Sequence, residues 1–189
     1  ARTVYPGWTC RYYIGKSTPK DTVDKLIEFD NVEVFLREED GDWTGMFWRF
    51  SAASDPNVDV MLSRDTDSRL NSREKAAVDN WLASDKDFHI MRDHPYHTTH
   101  ILGGMWGVRG NLLENMDLLI KQYKKGNFWQ VDQNFLGQVV YPIVEHEVFT
   151  HDDFFAKKHY PTPRKGQFFV GQAFNEENQP LHPEHMDML

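Results

Sequence analysis

The stretch Asn57-Val-Asp-Val-Met-Leu-Ser-Arg-Asp-Thr-Asp-Ser-Arg-Leu70 (NVDVMLSRDTDSRL, residues 57–70) changes character halfway. Its first half is apolar or alternating, the pattern of a buried strand. Its second half is polar and sets Asp65 and Asp67 two residues apart where that strand should end. Working outward, strand patterns recur at 9–15, 32–36, 58–62, 88–91 and 147–151, and helix patterns at 18–29, 42–53, 72–84, 111–124 and 132–143. This alternation predicts one α/β domain over residues 1–189, with a mainly parallel central sheet flanked by helices. In such sheets ligands bind beyond the carboxyl ends of the strands, where Asp65 and Asp67 lie.

Local signals sharpen several of these elements. Thr18 can cap the first helix, Pro19 suits its first position, and Val23, Leu26 and Ile27 share a face. Asn71 is placed to cap the helix near 72–84, with Glu74 as its capping-box partner. Leu112, Leu113, Met116, Leu119, Ile120 and Tyr123 form one stripe over 111–124. The segment RDHPYHTTHILGGMWGVRG (92–110) is rich in Gly and His and shows no clear period; it holds one short apolar piece, MWGV.

Composition narrows the class. The 189 residues are 40% hydrophobic and 26% charged, within the range of ordinary globular chains. The 14% aromatic content, with thirteen Phe and six Trp, suits a core or cleft built from flat side chains. A formal net charge of −8 argues against a nucleic-acid partner, which needs clustered Lys and Arg. No apolar run approaches the ~20 residues of a membrane span, and no targeting segment opens the chain, so the expected location is the cytoplasm. Cys10 is the single cysteine, which excludes an internal disulfide and a Cys-rich zinc site.

Asp-x-Asp is a weak signal by itself. Asp40/Asp42 and Asp85/Asp87 have the same spacing but lie in polar loop stretches, where a solvated turn explains them. Only Asp65/Asp67 directly follows an apolar strand. Two crowded carboxylates repel unless a cation neutralises them. Hard oxygen ligands suit Mg²⁺ or Mn²⁺, which leave positions for substrate phosphates. Arg64 and Arg69 could neutralise the pair instead, so a metal site and a carboxylate–arginine cluster are equal alternatives on spacing alone.

The strings MFWRF, VDVMLSRDTDSRL, REKAAVDNWL, FHIMRDHPYHTTHILGGMWG and DQNFL together carry more. In them the chain resembles the small GT-A-type glycosyltransferases of large algal viruses and some bacteria, from YPGW almost to its end. The resemblance implies a Rossmann-like GT-A domain and a metal-dependent transfer of sugar from a nucleoside-diphosphate donor, UDP-sugar favoured. The implied acceptor is a hydroxyl of a glycan or glycoprotein, a viral capsid glycan among them, in the host cytoplasm. By the same resemblance Asp65 and Asp67 hold Mn²⁺ or Mg²⁺ against the donor diphosphate, with His151 as a third metal ligand. Arg49 and Arg64 fall with the nucleotide-sugar-binding residues, Gly103 and Gly104 in the floor under the sugar, and Asp132 and Gln133 at the reacting centre. Asn134 stands where relatives carry a second acidic residue. The family's strand ahead of YPGW is expected to be missing here.

Each assignment has a plainer alternative. Asp132 could be a helix N-cap, His151 a surface histidine, and Arg49 an arginine packed on Trp48. Trp43 and Trp106 could stack on a ligand or sit in the core. His94, His97 and His100 fit sugar hydrogen bonding or loop packing better than zinc, because their spacing matches no single face. At the level of function the rivals are a non-catalytic nucleotide-sugar- or glycan-binding protein and a metal-dependent phosphohydrolase.

Overall fold

A computed structural model describes residues 1–124 and 126–189. Strand β1 (Cys10–Gly15) and strand β2 (Val32–Arg37) pair in parallel as a two-stranded sheet, joined by helix α1 (Lys20–Ile27). A second sheet holds β3 (Val60–Ser63), β4 (Phe88–Arg92), β5 (Trp106–Arg109) and β6 (Val148–Asp152), in the order β3-β5-β4-β6. Only β4 and β6 pair in parallel; β5 runs antiparallel to both β3 and β4.

The expectation of a mainly parallel central sheet is therefore corrected: the four-stranded sheet is mixed and the parallel pair stands apart. The cause is β5, hidden in the Gly- and His-rich stretch as the piece MWGV. It follows β4 through residues 93–105 with no helix between. A strand that returns without a crossover helix comes back antiparallel.

The aromatic-rich segment at 42–53 winds as a 3₁₀ helix, Trp43–Ser54, and not as an α-helix. Asp42 caps it, its side chain accepting from the Thr44 N–H at 2.8 Å. In a threefold winding, positions i and i+3 eclipse. Phe47 and Phe50 are so spaced and both are buried. They enter one aromatic core: Phe47 meets Phe135 edge-on at 5.4 Å, Phe50 meets Trp106 at 5.4 Å, and Phe88 stacks on Trp106 at 5.4 Å. Burying each such ring contributes up to about 1.5–3 kcal/mol. Trp106 is wholly buried here, so it is not free to stack on a ligand.

Helix α1 begins at Lys20 with Pro19, not Thr18, in the capping position. None of its residues is buried, and Ile27 is 60% exposed, so the face shared by Val23, Leu26 and Ile27 is only partly used. Helix α2 (Ser72–Leu82) is capped by Asn71, whose side chain accepts from the Glu74 N–H at 2.9 Å. The Glu74 carboxylate turns away from the cap and accepts from Tyr5 Oη at 2.9 Å and Arg64 Nε at 2.6 Å. The apolar stripe over 111–124 gives a shorter helix, α3 (Met116–Gln122).

The segment predicted as a helix over 132–143 is one helical run of three parts. Helix α4 (Val131–Phe135) passes through a π turn (Leu136–Val140) into α5 (Tyr141–Val144). Pro142 explains the widened turn, since a proline ring clashes with the carbonyl four residues back and brings no N–H. No helix of the described residues is long and apolar enough to cross a membrane.

Candidate functional site

The β3 strand ends at Ser63, and the chain turns through Asp65 and Asp67 directly beyond it. Arg49, from the 3₁₀ helix, reaches across this end. Its Nη1 pairs with Asp65 Oδ1, and its Nη2 donates to Asp132 Oδ2 at 3.0 Å. One guanidinium thus bridges a half-exposed carboxylate and a buried one, with side-chain exposures of 45% for Asp65 and 3% for Asp132. Asp132 lies inside the first turn of α4; the capping position is Gln130, so the N-cap alternative for Asp132 does not hold.

Gly103 and Gly104 leave room for this cluster. A Cβ on Gly103 would lie 2.6 Å from both Arg49 Nη2 and Asp132 Oδ2. A Cβ on Gly104 would overlap the Asp65 carboxylate and stand 2.9 Å from the Asp65 backbone nitrogen. Only glycine lets the backbone come this close. Ser63 Oγ fastens the floor by donating to the Gly103 carbonyl at 2.6 Å. Ser63 was missed in the sequence, where its signal was only its place between the strand and Asp65.

Asp67 completes the acidic side. Burial, then the neighbouring Asp65 charge, raises its carboxyl above the usual range, against the pull of Arg49 and Arg69. The loop is held from outside by the C-terminal segment. The Phe174 N–H donates to the Asp67 carbonyl at 2.9 Å, and Arg69 donates to Asn178 Oδ1 at 2.8 Å and to the Asn175 carbonyl at 3.1 Å. Gln133, beside Asp132, accepts from Thr99 Oγ1 at 3.2 Å, which ties α4 to the His-rich loop.

The structure brings together Arg49, Asp65, Asp67, Gly103, Gly104 and Asp132, turns the Gln133 side chain to Thr99, and leaves two sequence candidates elsewhere. Arg64 turns into the fold and binds Glu74, the Ser63 carbonyl at 2.6 Å and the Trp106 carbonyl at 3.1 Å. It is a structural knot between β3, β5 and α2. His151 lies on β6, the edge strand opposite β3, three strand spacings or about 14 Å away. It is 2% exposed, not a surface residue, and both ring nitrogens are engaged: Nδ1 with His89 Nε2 at 2.8 Å and Nε2 with Asn80 Oδ1 at 3.1 Å. Of the zinc-like trio, His94 and His97 stay close, with ring centroids 5.7 Å apart, but each of the three rings is engaged elsewhere. His94 donates from Nε2 to the His185 carbonyl at 2.9 Å, His97 Nδ1 accepts from the Asp93 N–H at 3.0 Å, and His100 stacks on Tyr141 at 4.3 Å.

The buried histidine pair carries a pH prediction. Burial, then the Arg73 charge, lowers His151 from 6.5 to about 4, and burial, then the neighbouring His151, also lowers His89 well below its usual value. A histidine with a depressed native pKa binds its proton better when unfolded. Its contribution to stability is present above about 6.5 and is lost as pH falls towards about 4. Thermal melting should drop across that window, and His151→Gln should flatten the slope; an unchanged slope would contradict the assignment.

In overall fold the chain is similar to a crystal structure described as a glycosyltransferase involved in the glycosylation of the major capsid of PBCV-1. The superposition has a TM-score of 0.54 and 17% sequence identity, covering 95% of this chain and 100% of that one. This supports a glycosyltransferase-like fold. No protein-family model and no curated protein matches the chain.

Proposed function

We propose that the chain is a GT-A-type, metal-dependent glycosyltransferase that moves a sugar from a nucleoside-diphosphate donor, a UDP-sugar by preference, to a hydroxyl of a glycan. The observation that carries this is the convergence of Asp65, Arg49 and Asp132 on a glycine floor at the end of β3, with the Asp67 charge within their electrostatic reach, in a glycosyltransferase-like fold. By likeness to the PBCV-1 enzyme, the acceptor is a glycan of a capsid protein, met in the host cytoplasm.

The donor set fits a hard divalent cation. Asp65 and Asp67 offer only oxygen, and the raised Asp67 pKa marks a place where a second negative charge is unwelcome without added positive charge. Mn²⁺ or Mg²⁺, when held by these carboxylates, would supply that charge against the donor diphosphate. Arg49 stands between this pair and Asp132, so it orients both and faces the phosphates. The reaction breaks the bond from the anomeric carbon to the phosphate oxygen and forms one to the acceptor oxygen. The acceptor proton passes to a carboxylate if configuration inverts, and Asp132 is the buried candidate.

Metal and nucleotide should stabilise the fold together. Saturating UDP with Mn²⁺ is expected to add on the order of 2–4 kcal/mol by mass action, with little gain from UDP in EDTA. Asp67→Ala should abolish the metal-dependent part and leave the unliganded fold intact, because removing one crowded carboxylate relieves repulsion. An equal shift with EDTA present would defeat the metal bridge. Donor consumption yielding free sugar and no acceptor product would favour a phosphohydrolase-like reading.

A further inference from the structure

A second cluster of metal-ligating side chains lies in the C-terminal segment, apart from the carboxylate site. His182, Glu184 and His185 place one ligand atom each within 4.8 Å of one another. The backbone explains the grouping. Residues Pro183–Met188 wind as a 3₁₀ helix with His182 in the capping position. In that threefold winding His182 and His185 eclipse, and their rings stack at 4.9 Å. Glu184 folds back so that Oε1 lies 3.3 Å from His182 Nδ1.

His185 is held from outside the segment. Its carbonyl accepts from His94 Nε2 at 2.9 Å, and its ring lies 5.3 Å from His94 and meets Tyr96 edge-on at 5.1 Å. His94 is in turn packed on Phe169, with ring centroids 4.5 Å apart. These contacts use the carbonyl and the ring faces of His185, and no hydrogen bond from its ring nitrogens is seen among the described residues.

We infer that His182, Glu184 and His185 bind one borderline transition-metal ion of the Zn²⁺ class, with an open position towards solvent. Two imidazoles and one carboxylate select Zn²⁺, Ni²⁺ or Cu²⁺ over Mg²⁺ and Mn²⁺, the reverse of the all-oxygen Asp65/Asp67 pair. Ligand bonds of 2.0–2.1 Å put tetrahedral ligands about 3.3 Å apart, a contraction that side-chain rotation at this exposed turn supplies. A bound ion would stiffen the turn at residues 182–185, whose His185 carbonyl already accepts from His94 Nε2 at 2.9 Å. The loop carrying His94 continues through Thr99, which holds Gln133, to Gly103 and Gly104. The inference does not depend on what the candidate site does.

The test is calorimetric titration of Zn²⁺ into the full chain bearing Asp65→Asn and Asp67→Asn, which removes the competing carboxylates. One equivalent should bind, survive excess Mg²⁺ and raise the melting temperature. His182→Ala and His185→Ala, added singly, should each weaken binding beyond the ~10–100-fold typical of an outer-shell partner. His182 is exposed, so its variant is expected to fold and keeps the test valid should His185→Ala not fold. Absence of binding in the parent, or unchanged affinity in His182→Ala, overturns the site.

Discussion

Asp132→Asn should leave melting nearly native, preserve nucleotide affinity and lower kcat by about 10²–10⁴-fold, the usual loss when a positioned general base is removed. The substitution keeps shape and hydrogen-bonding reach but removes the charge that Arg49 Nη2 meets at 3.0 Å. Arg49 keeps its other partner, Asp65, so the guanidinium is not stranded. Because Gln130 occupies the capping position, no capping energy is at stake. The expected signature is thus catalytic and not structural. Steady-state kinetics with a native acceptor, together with UDP binding by calorimetry, checks it. Transfer at the wild-type rate would remove Asp132 from the reacting centre, and a lost nucleotide affinity would reassign it to donor binding.

The largest structural effect is expected at Asp93. Its carboxylate is fully buried and accepts from Arg73 Nε at 3.0 Å, Arg73 Nη2 at 2.9 Å, Arg164 Nη2 at 2.6 Å and the Val170 N–H at 2.9 Å. Arg73 also binds Asp153 and the Thr162 carbonyl, and stacks over Tyr160 at 4.1 Å. Asp93→Ala would leave two guanidinium groups facing a cavity with only Asp153 to share. Removing one partner of a buried charge cluster costs about 3–5 kcal/mol. Urea unfolding at unchanged m-value should show the midpoint fall accordingly. A loss below about 1 kcal/mol, the scale of a surface ion pair, would mean the cluster is better hydrated than its burial indicates. Arg73→Met combined with Asp93→Ala should recover part of the loss, since it removes a stranded charge.

These two residues divide what was legible from what was not. The strand end at Asp65 and Asp67 was readable because an apolar run followed by carboxylates is a local pattern, decided by neighbours in sequence. The same holds for the Asn71 cap, where the bond spans three residues. Asp132 and Gly103/Gly104 came from the resemblance, and their convergence with Arg49 needed the fold. Arg49 and Asp132 are 83 positions apart, and nothing local in either segment predicts the other. Asp93 sits in the Gly- and His-rich stretch that shows no clear period, and its partners come from 20 residues upstream and from 71 and 77 residues downstream.

The departures from the sequence reading share a physical cause. The resemblance sets His151 with the metal through a strand that ends in histidine, a match that carries no information on where that strand lies in the sheet. Sheet order puts β6 at the edge away from β3, and order is set by which strands pair, not by what each strand contains. Arg64 adjoins Asp65 in sequence, but alternation along an extended chain sends neighbouring side chains to opposite faces. Asp65 therefore meets Arg49 while Arg64 meets Glu74. β5 was missed because four residues carry too little periodicity to declare a strand, and its reversal made the sheet mixed. By itself the sequence determined the elements long enough to show a period, the aromatic bias that fills the core, and the carboxylates at a strand end. The tertiary structure decided strand order and direction, and so which charges share one dielectric pocket and which are spent holding the fold together.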